Sequence, residues 1–330
     1  LSGNGVPLIP EIARWEAQMS TYGQRHCALY NDPTLTADQK LGATYYDAIR
    51  VFYQIATYTG DPAWNGCATK ARAVYRDAYV IPNHGGVPGY WNFTTGLRMD
   101  WERTGDALSK TAVIELSKNA AYAADVTPLE WTAGTGLSRE VAYAIIGYLN
   151  AEAVGEPRRA RLGAHVDQAL GHIDQWFISK TSRAPVPFNE IPEAAGQYYL
   201  QPFMVGLTTQ ALIRYWAATG DARVLPAIKT ALDAIWERAW VPTDEAFWYE
   251  NWVPDPTYTF PSKPGAPDLN LLIAPAFAWV YAQTGDTKYR DRGDQVFAGG
   301  VKGAWLDGAK QFNQNYMWSF AYVQGRISRP

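Results

Sequence analysis

Apolar residues along the chain recur mostly three and four positions apart, a spacing that places them on one face of an α-helix. Alternation of apolar and polar residues over four or more positions, the pattern of a half-buried strand, is almost absent. Two helical segments often follow one another closely, as on either side of residue 220. The pattern therefore predicts an all-α fold.

A short turn separates the members of these helical pairs. Four of the five turns read Thr-Gly-Asp and one reads Val-Gly-Glu. Glycine tolerates the left-handed backbone that ends a helix, and the acidic residue after it caps the next helix. The recurrence predicts an array of helical hairpins. The turns are centred on Gly60, Gly105, Gly155, Gly220 and Gly285.

The glycines are 45, 50, 65 and 65 residues apart, which is too uneven for an open solenoid of uniform repeats. The spacing favours a closed ring with short turns on one face and long, variable loops on the other. The chain ends would supply a sixth unit, in which a first helix over residues 9–22 packs beside a last inner helix over residues 314–325. We expect one (α/α)6-type toroid domain over residues 1–330.

Composition narrows the possible partners. The chain has 330 residues and is 47% hydrophobic, with a net charge of -3 that argues against a nucleic-acid partner. No apolar run approaches the roughly 20 residues of a membrane span, so no membrane partner is expected. The 14 Trp and 21 Tyr, with only 18% charged residues, favour a secreted or periplasmic monomer whose substrate stacks on aromatic rings. Leu1 in place of a starting Met predicts a leader that has been removed.

The two cysteines are predicted to be free, mostly buried thiols. Cys27 falls in the loop after the expected first helix, and Cys67 falls one turn into the helix after Gly60. On the expected ring these positions lie on opposite faces, on the order of 28 Å apart. A disulfide needs Cα atoms within about 7 Å of each other.

The long loops are expected to gather on one face, beside the first turns of the inner helices. Helix N-termini have partial positive charge, which suits an anionic substrate or transition state. We therefore expect the chemistry at this mouth of the ring. The predicted loops are 23–40, 79–97, 124–138, 179–197, 240–268 and 302–314.

Polar and aromatic residues of these loops are the candidates for substrate binding. Trp91, Trp131, Trp248 and Tyr316 are expected to line one cleft, because flat apolar rings stack on pyranose faces; alternatively, the aromatic stretch over residues 247–252 only caps the barrel. The substrate-binding candidates are Tyr90, Trp91, Arg98, Trp131, Glu140, Glu193, Gln201, Trp248, Asn270 and Tyr316.

No motif predicts a metal or cofactor. The chain has no His-x-x-x-His or Cys-x-x-Cys spacing, no Gly-rich phosphate loop and no dinucleotide fingerprint. We expect neither a metal nor a cofactor, and a structural calcium in an acidic loop stays open.

With these turns and loops the chain resembles the (α/α)-toroid carbohydrate-active enzymes, whose helical hairpins surround a groove for a polysaccharide. The string Asn83-His84-Gly85 is similar to the Asn-His pair of toroid lyases of the alginate and glucuronan type. In those enzymes the pair flanks the substrate carboxylate, while a Tyr supported by an Arg moves the proton.

The resemblance implies a polysaccharide lyase that cleaves a uronate-containing chain by β-elimination in an open cleft. Asn83 and His84 would neutralise the carboxylate, and Tyr198 and Arg139 match the proton-transfer pair by position only. The sequence departs from the lyase pattern at Pro82, where a further Asn would precede the His. His84 is alternatively a turn residue whose ring bonds a neighbouring carbonyl.

An inverting glycoside hydrolase on the same ring is the alternative, and a non-enzymatic glycan-binding ring is the third. Such a hydrolase needs an acid and a carboxylate base roughly 6.5–9.5 Å apart. The loops contain the carboxylates for it, at Glu130, Glu140, Glu193, Glu250 and Asp268. A lyase acting on a polyanion should have more basic residues in its loops than this chain has.

Overall fold

The computed structural model describes residues 8–177, 200–250 and 264–327. Regular structure within them is almost entirely helical, which confirms the predicted all-α class. Two short strands, β1 (Trp240–Val241) and β2 (Ala246–Phe247), form an antiparallel hairpin. The α-helices are α1 (Ile12–Leu29), α2 (Ala37–Gly42), α3 (Ala48–Thr59), α4 (Ala63–Arg72), α5 (Thr95–Thr104), α6 (Ala107–Asn119), α7 (Ser138–Ala153), α8 (Arg161–Phe177), α9 (Pro202–Thr219), α10 (Val224–Ala239), α11 (Ala274–Thr284), α12 (Thr287–Gly303), α13 (Ala309–Tyr316) and α14 (Ser319–Ile327).

Tighter and wider helical turns extend this set. The segment Ala73–Val80 continues α4 with the wider turns of a π-helix. Single turns of 3₁₀-helix lead into the first helices of three pairs. They span Gly89–Trp91, Leu129–Thr132, Thr135–Leu137 and Pro267–Leu272.

Each Thr-Gly-Asp turn has the predicted chemistry. The five turn glycines have positive φ values, for example 71° at Gly60 and 103° at Gly155. In the four Thr-Gly-Asp turns, the Thr hydroxyl donates to the carbonyl four residues earlier. It also accepts from the backbone N–H of the Asp, whose carboxylate in turn accepts from the N–H two residues further on. Both helix ends at each turn therefore have hydrogen-bond partners.

The chain changes direction just before α3. Tyr46 and Asp47 have positive φ values of 62° and 59°. The Asp47 carboxylate accepts from the N–H groups of Arg50, at 3.3 Å, and Gly96, at 2.9 Å. This contact caps α3 and ties it to the start of α5. A side chain at Gly96 would meet Asp47 Oδ1 at 2.3 Å, so the contact requires glycine.

The first helices of successive pairs lie against one another. Helix α3 contacts α5, α5 contacts α7, α7 contacts α9 and α9 contacts α11. Helix α11 contacts α14, and α13 contacts α3. Each of the second helices α4, α6, α8, α10 and α12 packs on its own partner. The predicted last helix over residues 314–325 is divided into α13 and α14.

The prediction of two free thiols is wrong, because Cys27 and Cys67 form a disulfide with Cα atoms 5.2 Å apart. Helix α1 runs to Leu29 instead of Tyr22, so Cys27 lies in the helix and not in a loop. Helix α1 packs directly on α4, and Gly23 allows the approach: an added Cβ there would lie 3.0 Å from the ring of Trp64.

We expect reduction of the disulfide to lower the melting temperature, since a native disulfide contributes about 2–4 kcal/mol. The double variant Cys27→Ser/Cys67→Ser is the control. It should melt at the temperature of the reduced wild type and should not respond to dithiothreitol. Two thiols titrating in the unreduced, denatured wild type would contradict the assignment.

Candidate functional site

An ion pair lies at the first turn of α7. The guanidinium of Arg139 donates through Nε and Nη2 to Glu140 Oε1, at 3.3 and 3.0 Å. Glu140 is buried, and Arg139 is mostly buried. Gly89 makes room for the Glu140 side chain, because a Cβ there would lie 2.8 Å from its Cγ. The carboxylate at the start of the helix also faces the positive end of the helix dipole.

Tyrosines surround this ion pair. The Arg139 guanidinium lies over the ring of Tyr90, 5.2 Å from its centre. Arg139 also interacts electrostatically with other phenols. We call this group the Arg139 cluster, and its members are Tyr45, Tyr46, Tyr90, Arg139, Glu140, Tyr143 and Tyr249.

The cluster holds its positive charge among neutral phenols. Burial raises the pKa of Tyr45 to about 12, against the opposing effect of Arg139. Burial also raises the pKa of Tyr46 and of Tyr143. Burial disfavours the charge of Arg139, but Glu140 and Tyr45 more than compensate and raise its pKa. At neutral pH Arg139 is therefore charged and these three tyrosines are neutral, and the buried Tyr143 hydroxyl has no hydrogen-bond partner within the described residues.

Tyr249 combines exposure with groups that stabilise its phenolate. It is 49% exposed and stacks on Phe203 with ring centres 5.6 Å apart. Burial and then Glu250 raise its pKa, while a hydrogen bond from Gln201 and the charge of Arg139 lower it. Gln201 also donates to Glu250 Oε2 at 3.3 Å, which fixes the amide.

Four exposed aromatic rings lie in the segments between helical pairs. Tyr90, Trp131 and Trp305 are 40%, 61% and 57% exposed, beside the 49% of Tyr249. Each lies in a segment that precedes the first helix of a pair or α13. Aromatic rings left in water at one end of a molecule suit stacking on an apolar ligand face.

A second carboxyl group belongs to the same end of the molecule. Asp268 accepts from the backbone N–H of Trp305 at 2.7 Å and from the amides of Gln314 and Asn315. Burial raises its pKa, against these three hydrogen bonds. Asp268 also acts electrostatically on Tyr46, which links it to the Arg139 cluster.

The structure places Asn83 and His84 against α6 and not in the Arg139 cluster. The Asn83 amide donates to the Tyr79 carbonyl at 2.7 Å. His84 has a φ of 50°, its side chain is 84% exposed, and its Nδ1 lies 3.9 Å from Glu115 Oε1. The Asn-His-Gly string is thus a left-handed turn that ends the π-helical segment. The alternative interpretation of His84 agrees in the turn, but its ring faces Glu115 and not a neighbouring carbonyl.

Three predicted cleft residues are core residues. Tyr316 is buried and donates to the Trp15 carbonyl at 2.7 Å, since its helix faces α1. Trp248 is 8% exposed, and its backbone N–H donates to the Ala239 carbonyl at 3.1 Å. Asn270 is fully buried, and its amide donates to the carbonyls of Glu245 and Val296. The prediction that these three bind substrate is corrected accordingly.

The other candidates divide between the cluster, a second cavity and the part outside the described residues. Trp91 packs edge-on against Tyr45, with ring centres 4.8 Å apart. Arg98 lines a cavity near the tight turns, where it pairs with Glu102 at 2.7 Å. Tyr198 and Glu193 lie outside the described residues.

Sequence analysis missed several members of the site. Tyr143 follows Arg139 by four residues, so helical spacing alone places both on one face of α7. Tyr45 and Tyr46 precede α3, where positive φ values at Tyr46 and Asp47 change the direction of the backbone, and no sequence pattern indicated this change. Lys310, whose ammonium lies 4.9 Å from the ring centre of Tyr45, gave no signal in the sequence.

The described residues contain neither a cluster of metal ligands nor a membrane-spanning helix, and the chain matches no known family. Within residues 8–177, 200–250 and 264–327, no group of three or more His, Cys, Asp and Glu side chains could hold a metal ion. Among the described helices, none has the length and apolar character to cross a membrane. No protein-family model matches the chain, and no curated protein matches it either. The interpretation of the site therefore depends on its geometry and chemistry.

Trp131→Ala should weaken glycan binding while leaving the melting temperature nearly unchanged, because the ring is mostly in water. Trp248→Ala is the matched comparison and should cost about 3–5 kcal/mol of unfolding free energy, because its ring is buried. Calorimetry and a glycan-binding titration measure the two effects. Equal destabilisation by both substitutions would contradict the assignment of Trp131 to a binding surface.

Proposed function

We propose that this chain is a carbohydrate-active enzyme that cleaves a uronate-containing polysaccharide by β-elimination at the Arg139 cluster. The observation that supports this best is a guanidinium held charged among tyrosines, beneath a rim of exposed aromatic rings. A uronate polymer offers a carboxylate for the cation and pyranose faces for the rings.

We propose further that the helices close into an (α/α)6 toroid. The contacts between successive first helices, and between α13 and α3, support a closed ring of six hairpins. The polysaccharide would then bind at the end opposite the Thr-Gly-Asp turns. A crystal structure in which α3 and α13 lie apart would contradict the closed ring.

Arg139 has hydrogen-bonding capacity left for a substrate. Its Nε and Nη2 bind Glu140, and its Nη1 makes no hydrogen bond within the described part of the chain. A uronate carboxylate placed on Nη1 would have its charge offset by a group that is already oriented. Negative charge that spreads onto the carboxylate as a proton leaves the adjacent carbon would then be stabilised, which lowers the barrier.

We assign removal of that proton to Tyr249, because it is half exposed and its phenol interacts with Gln201 and Arg139. Burial and Glu250 keep its pKa raised, so the reactive phenolate is the minor form at neutral pH. The phenolate removes the proton beside the carboxyl group, and the electron pair forms a carbon–carbon double bond. The glycosidic C–O bond on the next carbon breaks, and its oxygen receives a proton from the now neutral phenol. The products are an unsaturated uronate and a chain with a free hydroxyl group.

Tyr249→Phe should lower turnover by a factor of about 10² to 10³, as removal of one preorganised catalytic group typically does. Tyr58→Phe is the control, since Tyr58 is similarly exposed but lies at the tight turn beside Gly60. Near-ultraviolet absorbance of the unsaturated product measures the rate, and circular dichroism verifies the fold. Full activity in Tyr249→Phe would rule out this tyrosine as the base.

The pH dependence follows from the raised pKa of Tyr249. The phenolate fraction grows as the pH approaches that raised pKa from below. The elimination rate should therefore rise from neutral into alkaline pH without a descending limb near neutrality. Initial rates on a uronate polymer across that range measure it, and a maximum at acidic pH would contradict a tyrosine base.

Inverting hydrolysis is the second candidate, because Asp268 at the same end has a raised pKa. A carboxylic acid that stays protonated to a higher pH can protonate the leaving oxygen, and Glu140 would be the second carboxyl group, which activates water. A panel of uronate and neutral glycans, assayed by absorbance and by reducing ends, separates the two. Reducing ends without absorbance, abolished by Asp268→Asn, would establish hydrolysis instead of elimination.

We also propose that the protein acts outside the reducing cytosol, in a secreted or periplasmic location. The Cys27–Cys67 disulfide supports this, because disulfides persist mainly in oxidising compartments. Fractionation of cells that make the protein, followed by thiol labelling, tests it. Recovery of the reduced protein from the cytosol would contradict the location.

A further inference from the structure

A second cavity, of about 660 Å³, extends between the helices from the first turns of α3 and α5 toward the Thr-Gly-Asp turns. Its walls come from the first half of α3, from α5 between Thr95 and Glu102, and from the last turns of α7 and α9, with Arg158 from the segment after α7. We call it the turn-end cavity. The residues used below are Arg50, Gln54, Thr95, Arg98, Arg158 and Arg214, with the glutamates Glu102 and Glu152.

The turn-end cavity has more positive than negative charge in its wall. Glu102 pairs with Arg98 at 2.7 Å, and Glu152 pairs with Arg158 at 2.9 Å. Neither Arg50 nor Arg214 has a carboxylate within 4.0 Å among the described residues. Four arginines against two glutamates leave two positive charges without compensation inside the cavity.

Both uncompensated arginines are held in position by neutral groups. Arg50 is 8% exposed, and its Nε donates to Gln54 Oε1 at 3.2 Å. The Gln54 amide is itself fixed on the carbonyls of Tyr316 and Met317. Arg214 donates through Nη1 to the Thr95 hydroxyl at 2.9 Å. Within the described residues, Nε makes the hydrogen bond of the Arg50 guanidinium, and Arg50 lines the cavity.

A further carboxylate, Asp47, acts electrostatically on both arginines and raises their pKa values, but less than burial lowers them. Asp47 binds the backbone N–H groups of Arg50 and Gly96 and forms no ion pair with either guanidinium. Burial lowers the pKa of Arg50, and the charge of Arg214 lowers it further. Burial also lowers the pKa of Arg214, to about 10, so that this guanidinium remains charged at neutral pH. Two like charges held together in this way attract an anion that lies between them.

We propose that the turn-end cavity binds a small molecule with a phosphate or sulfate group, whose oxygens contact Arg50 and Arg214. The volume is that of a ligand pocket and exceeds what a bare ion fills. Apolar side chains of Met99 and Leu149 complete the wall, which suits the carbon body of a sugar-sized molecule. The exposed side chains of Arg98, Glu102 and Arg158 form the rim and leave the cavity open to solvent. This proposal is independent of the chemistry at the Arg139 cluster.

Isothermal titration of the full chain with inorganic phosphate, inorganic sulfate, a hexose phosphate and a hexose sulfate tests the proposal. We expect saturable binding of one equivalent, tighter for the hexose esters than for the free ions. Arg214→Gln should weaken it about tenfold or more, because a charged hydrogen bond to the oxyanion is lost. Arg14→Gln, which removes an exposed arginine of α1, is the control and should bind like the wild type.

Arg50→Gln is the second variant, checked for folding by circular dichroism, and should weaken binding at least as much as Arg214→Gln. Binding of the free ions alone, lost in Arg214→Gln, would keep the oxyanion site but remove the sugar-sized occupant. Absence of saturable binding by every probe, or equal affinities of wild type and Arg214→Gln, would overturn the proposal. Either result concerns binding in this cavity, whereas elimination at the Arg139 cluster is measured separately by absorbance.

Discussion

The structure depends on where each helix is made to stop. In the Thr-Gly-Asp turns, glycine reverses the backbone, the Thr hydroxyl occupies the end of one helix, and the Asp carboxylate occupies the start of the next. Backbone N–H and C=O groups at these turns have hydrogen-bond partners, so the two helices of a pair can pack closely directly beside the turn. Successive first helices lie against one another from α3 to α11.

One such first turn places a buried cation beside a buried anion. Arg139 without Glu140 would be a charge removed from water without compensation, which is strongly unfavourable. With Glu140 in place, the guanidinium remains charged and influences the pKa values of Tyr45, Tyr143 and Tyr249. Arg50 and Arg214 form no such ion pair among the described residues. The described structure therefore contains one arginine paired with a buried carboxylate and two arginines held by neutral groups.

Features that depend on neighbouring residues could be predicted from the sequence, whereas features that depend on contacts remote in sequence could not. The turn glycines were identifiable because Gly and Asp act on their own neighbours, and the helical class followed from the apolar spacing. Burial of Tyr316 and Asn270 was not identifiable, because it depends on contacts with α1 and α12 that are remote in sequence. The break at Tyr46 and Asp47 depends on a contact with Gly96, and the Cys27–Cys67 disulfide on a helix longer than its apolar pattern indicated. Arg139 and Tyr90 were found as single candidates, whereas their grouping with Tyr45 and Tyr249 required the fold.

The proposed elimination requires removal of the proton on the carbon beside the uronate carboxyl group. The most direct measurement is a single-turnover rate on a uronate polymer deuterated at that carbon, compared with the ordinary polymer. Elimination at the Arg139 cluster predicts that the deuterated substrate reacts severalfold more slowly and that the label is lost from the unsaturated product. Equal rates, with the label retained and a solvent oxygen in the new reducing end, would contradict it.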